Sequence, residues 1–334
     1  MIRSVLRPAL LALAVLLPLS ETARTEELRP VSIALDWTLN TNHIGLIVAR
    51  DLGFYADAGL AAGILPYSDT NSASLLSAGS ADFGYVTSLG FLSARAAGAE
   101  ITALWATMQH ENGRLVFNAD RPDITRPADL SGMTYAGFGS AWEEALIGQM
   151  IRADGGAPVW DTVTLGTGAY EALASGAVDF TLEVSTWEGV NSQLLGRRQK
   201  AFVFADYGIP DQQNGYIASR NATLTEDPAL IAAFMQATLK GYEWAADHPR
   251  EAADLLIAAG DFPNPALVHG SMEALEAGNF LRDGDIPVGQ IDETRFTAMA
   301  RFLYDSGVLK SVEGAPLDFP GDLSGWSDQT WRRP

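Results

Sequence analysis

The sequence predicts an α/β fold of two lobes, each a mostly parallel, doubly wound sheet flanked by helices. Three observations carry this expectation. Strand-like and helix-like segments alternate from about 31 to 105. The alternation restarts at Met133. The chain has 334 residues, more than one ordinary core needs, which suggests two lobes or one large α/β domain. A β-α-β-α rhythm favours parallel strands, because each helix returns the chain to the same end of the sheet.

Val31-Ser32-Ile33-Ala34-Leu35 alternates as a strand does and stops at Asp36-Trp37. Thr41 or Asn42 can cap a helix over about 43–52, which Gly53 closes. A second strand is expected over 63–67, a short helix over 72–78 ending at Gly79, and a strand over 82–86. A helix over 88–97 and a strand over 101–105 complete the first series. The second series has strands over 133–137, 162–165 and 178–182. Its helices fall over 142–154, where Ser140 is the cap, and over 170–174. The last third is mainly helical, over 227–256 and 291–306.

Leu115-Val116-Phe117 and Tyr216-Ile217-Ala218-Ser219 read as crossings between lobes. One lobe is therefore expected from 31–114 plus 217–334, with the other inserted as 115–216.

Composition limits the function. The net charge is -19, and no basic block exists to neutralise phosphates, so a nucleic-acid partner is rejected. There is no cysteine, which removes disulfides, thiolate metal sites, cysteine nucleophiles and a lipoprotein anchor. His43, His110, His248 and His269 have no partner at metal-ligand spacing. No Gly-x-Ser-x-Gly elbow is present. Neither a metal nor another cofactor is expected. Arg3 and Arg7 precede an apolar run from Pro8 to Leu19, too short to span a bilayer. Residues 1–23 therefore read as a cleavable secretory signal, with Ala23 the preferred cut.

Four constellations hold candidate binding residues. The first is Asp36, Trp37, Asn42 and His43, at the carboxyl end of the first strand, where open α/β sheets bind ligands. An indole there can stack on a flat ligand for roughly 1–3 kcal/mol; alternatively the segment is a capping loop with Trp37 in the core. Trp187 and Glu188 follow a strand of the second series and again pair an aromatic with a carboxylate. Such a carboxylate accepts N–H hydrogens through short, charge-assisted bonds. Gly139 and Ser140 lie in a glycine-rich βα turn that can bring backbone N–H groups to a ligand. Ser140 and Glu143 also have capping-box spacing. Thr87 and Ser88 can donate hydroxyls to a cleft or cap the next helix.

The run Leu35-Asp36-Trp37-Thr38-Leu39-Asn40-Thr41-Asn42-His43-Ile44-Gly45-Leu46, then Gly53-Phe54-Tyr55 and Ala58-Gly59-Leu60, resembles the opening of the thiamine-pyrimidine family. That family holds hydroxymethylpyrimidine synthases and the periplasmic ThiY-type proteins of ABC importers. Leu39 replaces the usual proline. Arg126-Pro127-Ala128-Asp129-Leu130-Ser131-Gly132 and Trp187-Glu188-Gly189 extend the resemblance. The synthases carry a cofactor-bearing lysine, a sacrificial histidine and a cysteine-rich motif. Here Gly84-Tyr85-Val86-Thr87-Ser88-Leu89-Gly90 has neither lysine nor histidine, and the chain has no cysteine.

The resemblance implies a clamshell of the periplasmic binding protein type II class that closes on its ligand about a hinge. It also implies a monomer in the periplasm, and no enzyme. A thiamine-precursor pyrimidine would lie on the loops of Asp36-Trp37 and Trp187-Glu188, for delivery to an ABC permease in the inner membrane. Riboflavin, another heterocycle, or a sulfonate or nitrate are alternative ligands, and a pyrimidine synthase is the enzyme alternative.

Overall fold

The computed structural model describes residues 27–284, 286–311 and 313–333. The expected signal segment, 1–23, lies outside the described residues. Ten strands form two sheets: β1 (Arg29–Ala34), β2 (Leu60–Leu65), β3 (Phe83–Val86), β4 (Ile101–Met108), β5 (Gly113–Asn118), β6 (Thr134–Gly137), β7 (Asp161–Thr164), β8 (Phe180–Val184), β9 (Gln199–Val203) and β10 (Asn214–Arg220). The first sheet has the order β2-β1-β3-β10-β4 and the second β7-β6-β8-β5-β9.

Each sheet is mixed in the same way. β10 runs antiparallel to both β3 and β4. β5 likewise opposes β8 and β9. The other four strands of each sheet run together, so the predicted mostly parallel, doubly wound architecture holds. Strand membership places the passages between sheets at 109–112 and 204–213. The segments read as crossings are instead parts of β5 and β10, deep inside the sheets. An apolar strand that begins right after a passage carries no sequence mark separating it from the passage itself.

The pleat explains the layering, since successive side chains of a strand face opposite sides. In β3, Phe83 and Tyr85 join the core under the helices Ile44–Asp51 and Pro228–Asp247, while Val86 joins the core beneath Glu293–Asp305. In β5, Leu115 and Phe117 face the helix Ala141–Ala153, and Val116 faces Ala169–Ala174. Both sheets are thus covered on two faces, which is why their central strands read as apolar runs.

Several boundaries shift. The 227–256 helix breaks at His248-Pro249 into Pro228–Asp247 and Pro249–Ala259, because proline cannot supply the interior N–H. The expected 63–67 strand begins earlier, at Leu60, through parallel pairing with β1. β9 and the helix Pro265–Ala277 were not foreseen. The last described residues return to the first sheet. Ala103 N–H donates to the Trp326 carbonyl (2.9 Å) and Trp331 Nε1 donates to the Leu104 carbonyl (3.0 Å), covering the β4 edge.

Candidate functional site

The carboxyl ends of β3, β4 and β8, the start of β10 and the loop after β1 surround one cleft of about 300 Å³. The loop after β1 is held by a short chain of hydrogen bonds. Asn40 Oδ1 accepts from Asn42 N–H (2.8 Å), capping the turn Thr41–His43. Asn40 N–H donates to His43 Nδ1 (3.3 Å), and His43 Nε2 meets Asp36 Oδ1 at 3.0 Å. A ring nitrogen that accepts an N–H carries no proton, so the pattern assigns the neutral tautomer whose Nε2–H donates to Asp36. His43 is 1% exposed and packs edge-on against Tyr85, with centroids 4.7 Å apart. It orients Asp36 and does not itself line the cleft.

Asp36, Trp37, Asn42, Thr87, Trp187 and Glu188 line the cleft, so six of the ten candidates meet there. Asp36, Trp37, Asn42 and Thr87 come from the first sheet's loops; Trp187 and Glu188 follow β8 of the second. Trp37 lies against Tyr67 (centroids 5.2 Å apart) and edge-on to Phe138 across the mouth (6.2 Å, 77°). Trp187 meets Phe262 edge-on at 6.3 Å. Aromatic contacts therefore join the two halves at two points beside the cleft.

The other four candidates lie elsewhere. His43 is buried behind Asp36. Ser88 is 2% exposed, and its hydroxyl donates to Gln212 Oε1 at 2.6 Å. Thr87 is the cap of that helix, accepting from Gly90 N–H. Gly139 faces Thr164, where a Cβ would fall 2.6 Å from Oγ1. Ser140 caps Ala141–Ala153 in a full box with Glu143. The Glu143 carboxylate also accepts from Tyr135 Oη (2.6 Å) and Phe138 N–H (2.9 Å). The glycine-rich turn thus spends its polar groups on itself and presents Phe138, 48% exposed, to the cleft. Ser140→Ala is expected to cost about 1 kcal/mol of stability with ligand affinity unchanged, as denaturant titration and calorimetry would show.

Sequence reasoning did not select Phe138, Tyr85, Asn112, Tyr170, Asn214 or Gly215, all of which line the cleft. Phe138 directly precedes the candidate Gly139, and Tyr85 stands two residues before the candidate Thr87, so position was the available signal. Asn112 and Asn214 flank the passages between sheets and carried no signal.

The electrostatics are acidic. None of the lining residues is lysine or arginine. Arg114 is committed to the buried Glu183, with Nε to Oε1 at 2.7 Å and Nη2 to Oε1 at 2.5 Å. Glu183 is fully buried, and burial pushes its carboxyl up against the opposing pull of Arg114. Glu188 has no cation beside it among the described ion pairs. Its Oε2 accepts a long bond from Val184 N–H (3.2 Å). Burial raises its carboxyl to about 7, with nearby Glu183 adding to the rise. A larger groove of about 910 Å³, lined mainly by Ser, Ala and Gly, runs along the helices Ser72–Ser77 and Ser88–Ala96 and meets the cleft at Asp36 and Thr87.

Two mixed five-stranded sheets with a cleft at their strand ends define the fold class of two-lobed, periplasmic-type solute-binding proteins. The fold is similar to the aliphatic sulphonate binding protein of Escherichia coli (TM-score 0.65, 16% identity, covering 88% of this chain and 94% of that one). It is also similar to an alkanesulfonate-binding protein of Xanthomonas axonopodis pv. citri (TM-score 0.64, 16% identity, 87% and 96% covered). Residues 40–252 match the family described as NMT1/THI5 like, and the chain belongs to that family. A formylaminopyrimidine-binding protein of Halalkalibacterium halodurans is 29% identical over 250 residues, 73% of this chain and 74% of that protein. A 4-amino-5-hydroxymethyl-2-methylpyrimidine phosphate synthase of Legionella pneumophila is 23% identical over 244 residues, 69% and 73% of the two chains.

Proposed function

We propose that this chain is the periplasmic binding component of an ABC importer, capturing a formylaminopyrimidine or a similar thiamine-precursor pyrimidine as a monomer and without catalysis. One observation carries the reading. Aromatic side chains and two carboxylates from both sheets meet in one cleft whose lining holds no cation. An aminopyrimidine is flat, nearly neutral and rich in N–H donors, which suits indoles and carboxylates. A sulfonate needs arginine or several aimed N–H donors, whereas no arginine lines the cleft and Arg114 already serves Glu183.

In this reading 27–108 with 214–333 form one lobe and 113–203 the other. They close about 109–112 and 204–213, bringing Trp187 and Glu188 onto a ring held by Trp37 and Asp36. Closure driven by the ligand's own contacts gives a permease a liganded shape to recognise. Against the synthase alternative, the chain has no cysteine and the segment from Gly84 to Gly90 no lysine or histidine.

Isothermal titration of the mature protein, refolded free of carried-over ligand, tests the reading. A dissociation constant of about 1 μM or tighter for formylaminomethylpyrimidine, roughly -8 kcal/mol, supports it. No heat from folded protein with that compound or with hydroxymethylpyrimidine sinks it. Trp187→Ala removes one aromatic wall and is expected to weaken binding about tenfold or more, on a stacking worth of roughly 1–3 kcal/mol. Unchanged affinity would take Trp187 out of the site.

A further inference from the structure

We infer that Tyr85 is a specificity-determining residue whose hydroxyl donates a hydrogen bond to a carbonyl oxygen of the ligand at the floor of the cleft. This rests on the pyrimidine reading above and deepens it. Tyr85 lines the cleft yet is only 1% exposed. Its hydroxyl is buried and has no hydrogen-bond partner. A buried phenol without a partner costs free energy in the empty protein, and a ligand that supplies the partner recovers it.

Tyr242 and Thr107 approach the Tyr85 hydroxyl closely enough to interact, but neither meets hydrogen-bond geometry with it. The Tyr242 hydroxyl already donates to the Asn42 carbonyl at 2.7 Å, and the Thr107 hydroxyl accepts from Trp105 Nε1 at 3.0 Å. Across the strand pair stands Gly215, also lining the cleft. Its backbone has φ +74°, and a Cβ there would fall 2.2 Å from the Tyr85 hydroxyl. Only glycine leaves that approach open without strain. The ring itself is fixed, with Tyr85 paired to Ile217 between β3 and β10 and the His43 ring edge-on against it. The hydroxyl therefore has a set position, in the space that a side chain at 215 would take.

The chemistry of the cleft divides accordingly. Carboxylate oxygens of Asp36 and Glu188 can accept hydrogens from a ligand's N–H groups, and above about pH 7, where Glu188 is ionised, it has no proton to offer a carbonyl. Tyr85 has one, because burial pushes its phenol well above the usual range and keeps the proton on oxygen. A formyl group presents such an oxygen; the corresponding free amine does not.

The test is isothermal titration of wild-type and Tyr85→Phe mature protein with two probes, formylaminomethylpyrimidine and the deformylated aminomethylpyrimidine. A thermal melt shows that the variant is folded; removing only an unpaired hydroxyl should leave the melt unchanged or raise it. The expected result is about tenfold weaker binding of the formyl compound by Tyr85→Phe, with the amine unchanged within about twofold. Equal binding of the formyl compound by both proteins overturns the assignment, as does an equal loss for both probes. Failure of the wild type to bind either probe overturns the functional reading, and the assignment with it. Binding by the wild type and a selective loss in the variant uphold both.

Discussion

Glu188→Gln is expected to abolish the pH dependence of ligand affinity and to weaken binding roughly 10- to 100-fold at about pH 8. The second figure follows from losing a charge-assisted acceptor worth about 1.5–3 kcal/mol. The first follows from the carboxyl being raised to about 7 by burial. Around pH 5.5 wild-type Glu188 is mostly protonated and offers the ligand's N–H donors little more than glutamine does. As pH rises through about 7 it ionises, so wild-type affinity should climb while the variant's stays flat. A flat wild-type profile between about pH 5.5 and pH 8 would remove Glu188 as the acceptor.

Stability should move the other way. The folded protein holds this proton more tightly than the unfolded chain, so the contribution is fully present below the usual carboxylate range. It is lost as pH rises from about 4.5 to about 7. Above that window wild type carries a desolvated charge that the amide does not. Glu188→Gln should therefore be more stable than wild type at about pH 8, by no more than about 3 kcal/mol. The side chain's partial exposure lowers that figure further. Urea titrations at two pH values check both sign and size.

Gly241→Ala should destabilise the first lobe by about 3 kcal/mol, in the upper range for overpacking. Gly241 lies mid-helix in Pro228–Asp247 and faces the helix Ile44–Asp51. An added Cβ would meet the Gly45 carbonyl oxygen at 2.1 Å and the Ala49 Cβ at 2.8 Å. The first obstacle is backbone and cannot rotate aside, so the helices must separate. Helix propensity alone predicts the opposite sign, because alanine is favoured over glycine by about 1 kcal/mol in a helix interior. The direction of the measured change thus decides between local preference and packing. A gain in stability would mean that the two helices do not touch at Gly241.

The repeated βα rhythm was legible because alternation, capping residues and closing glycines act within a few residues of each other. Ser140 and Gly53 mark their helices in sequence as in space. The β1 loop and the segment after β8 were legible as site candidates for a similar reason: strand ends of doubly wound sheets face the ligand edge. His43, Ser88, Gly139 and Ser140 look no different in sequence from Asp36 or Thr87. Their surroundings set them apart, and two of those neighbours, Gln212 bonded to Ser88 and Thr164 packed against Gly139, lie further along the chain. β5 and β10 escaped recognition as strands for a like reason. An antiparallel strand between parallel neighbours is fixed by pairing partners about 70 to 130 residues away, not by local pattern.

The sequence by itself determined the fold class, the absence of thiol and basic-patch chemistry, and the two tryptophan-carboxylate segments. Those depend on composition and short-range periodicity. Only the tertiary structure decided which side chains share the cleft, that Phe138 and not the adjacent glycine and serine faces it, and that Arg114 is spent on Glu183. It alone leaves the Tyr85 hydroxyl without a partner. Each of these is set by where distant segments meet, and burial or a long-range hydrogen bond is not written in the neighbours of any one residue.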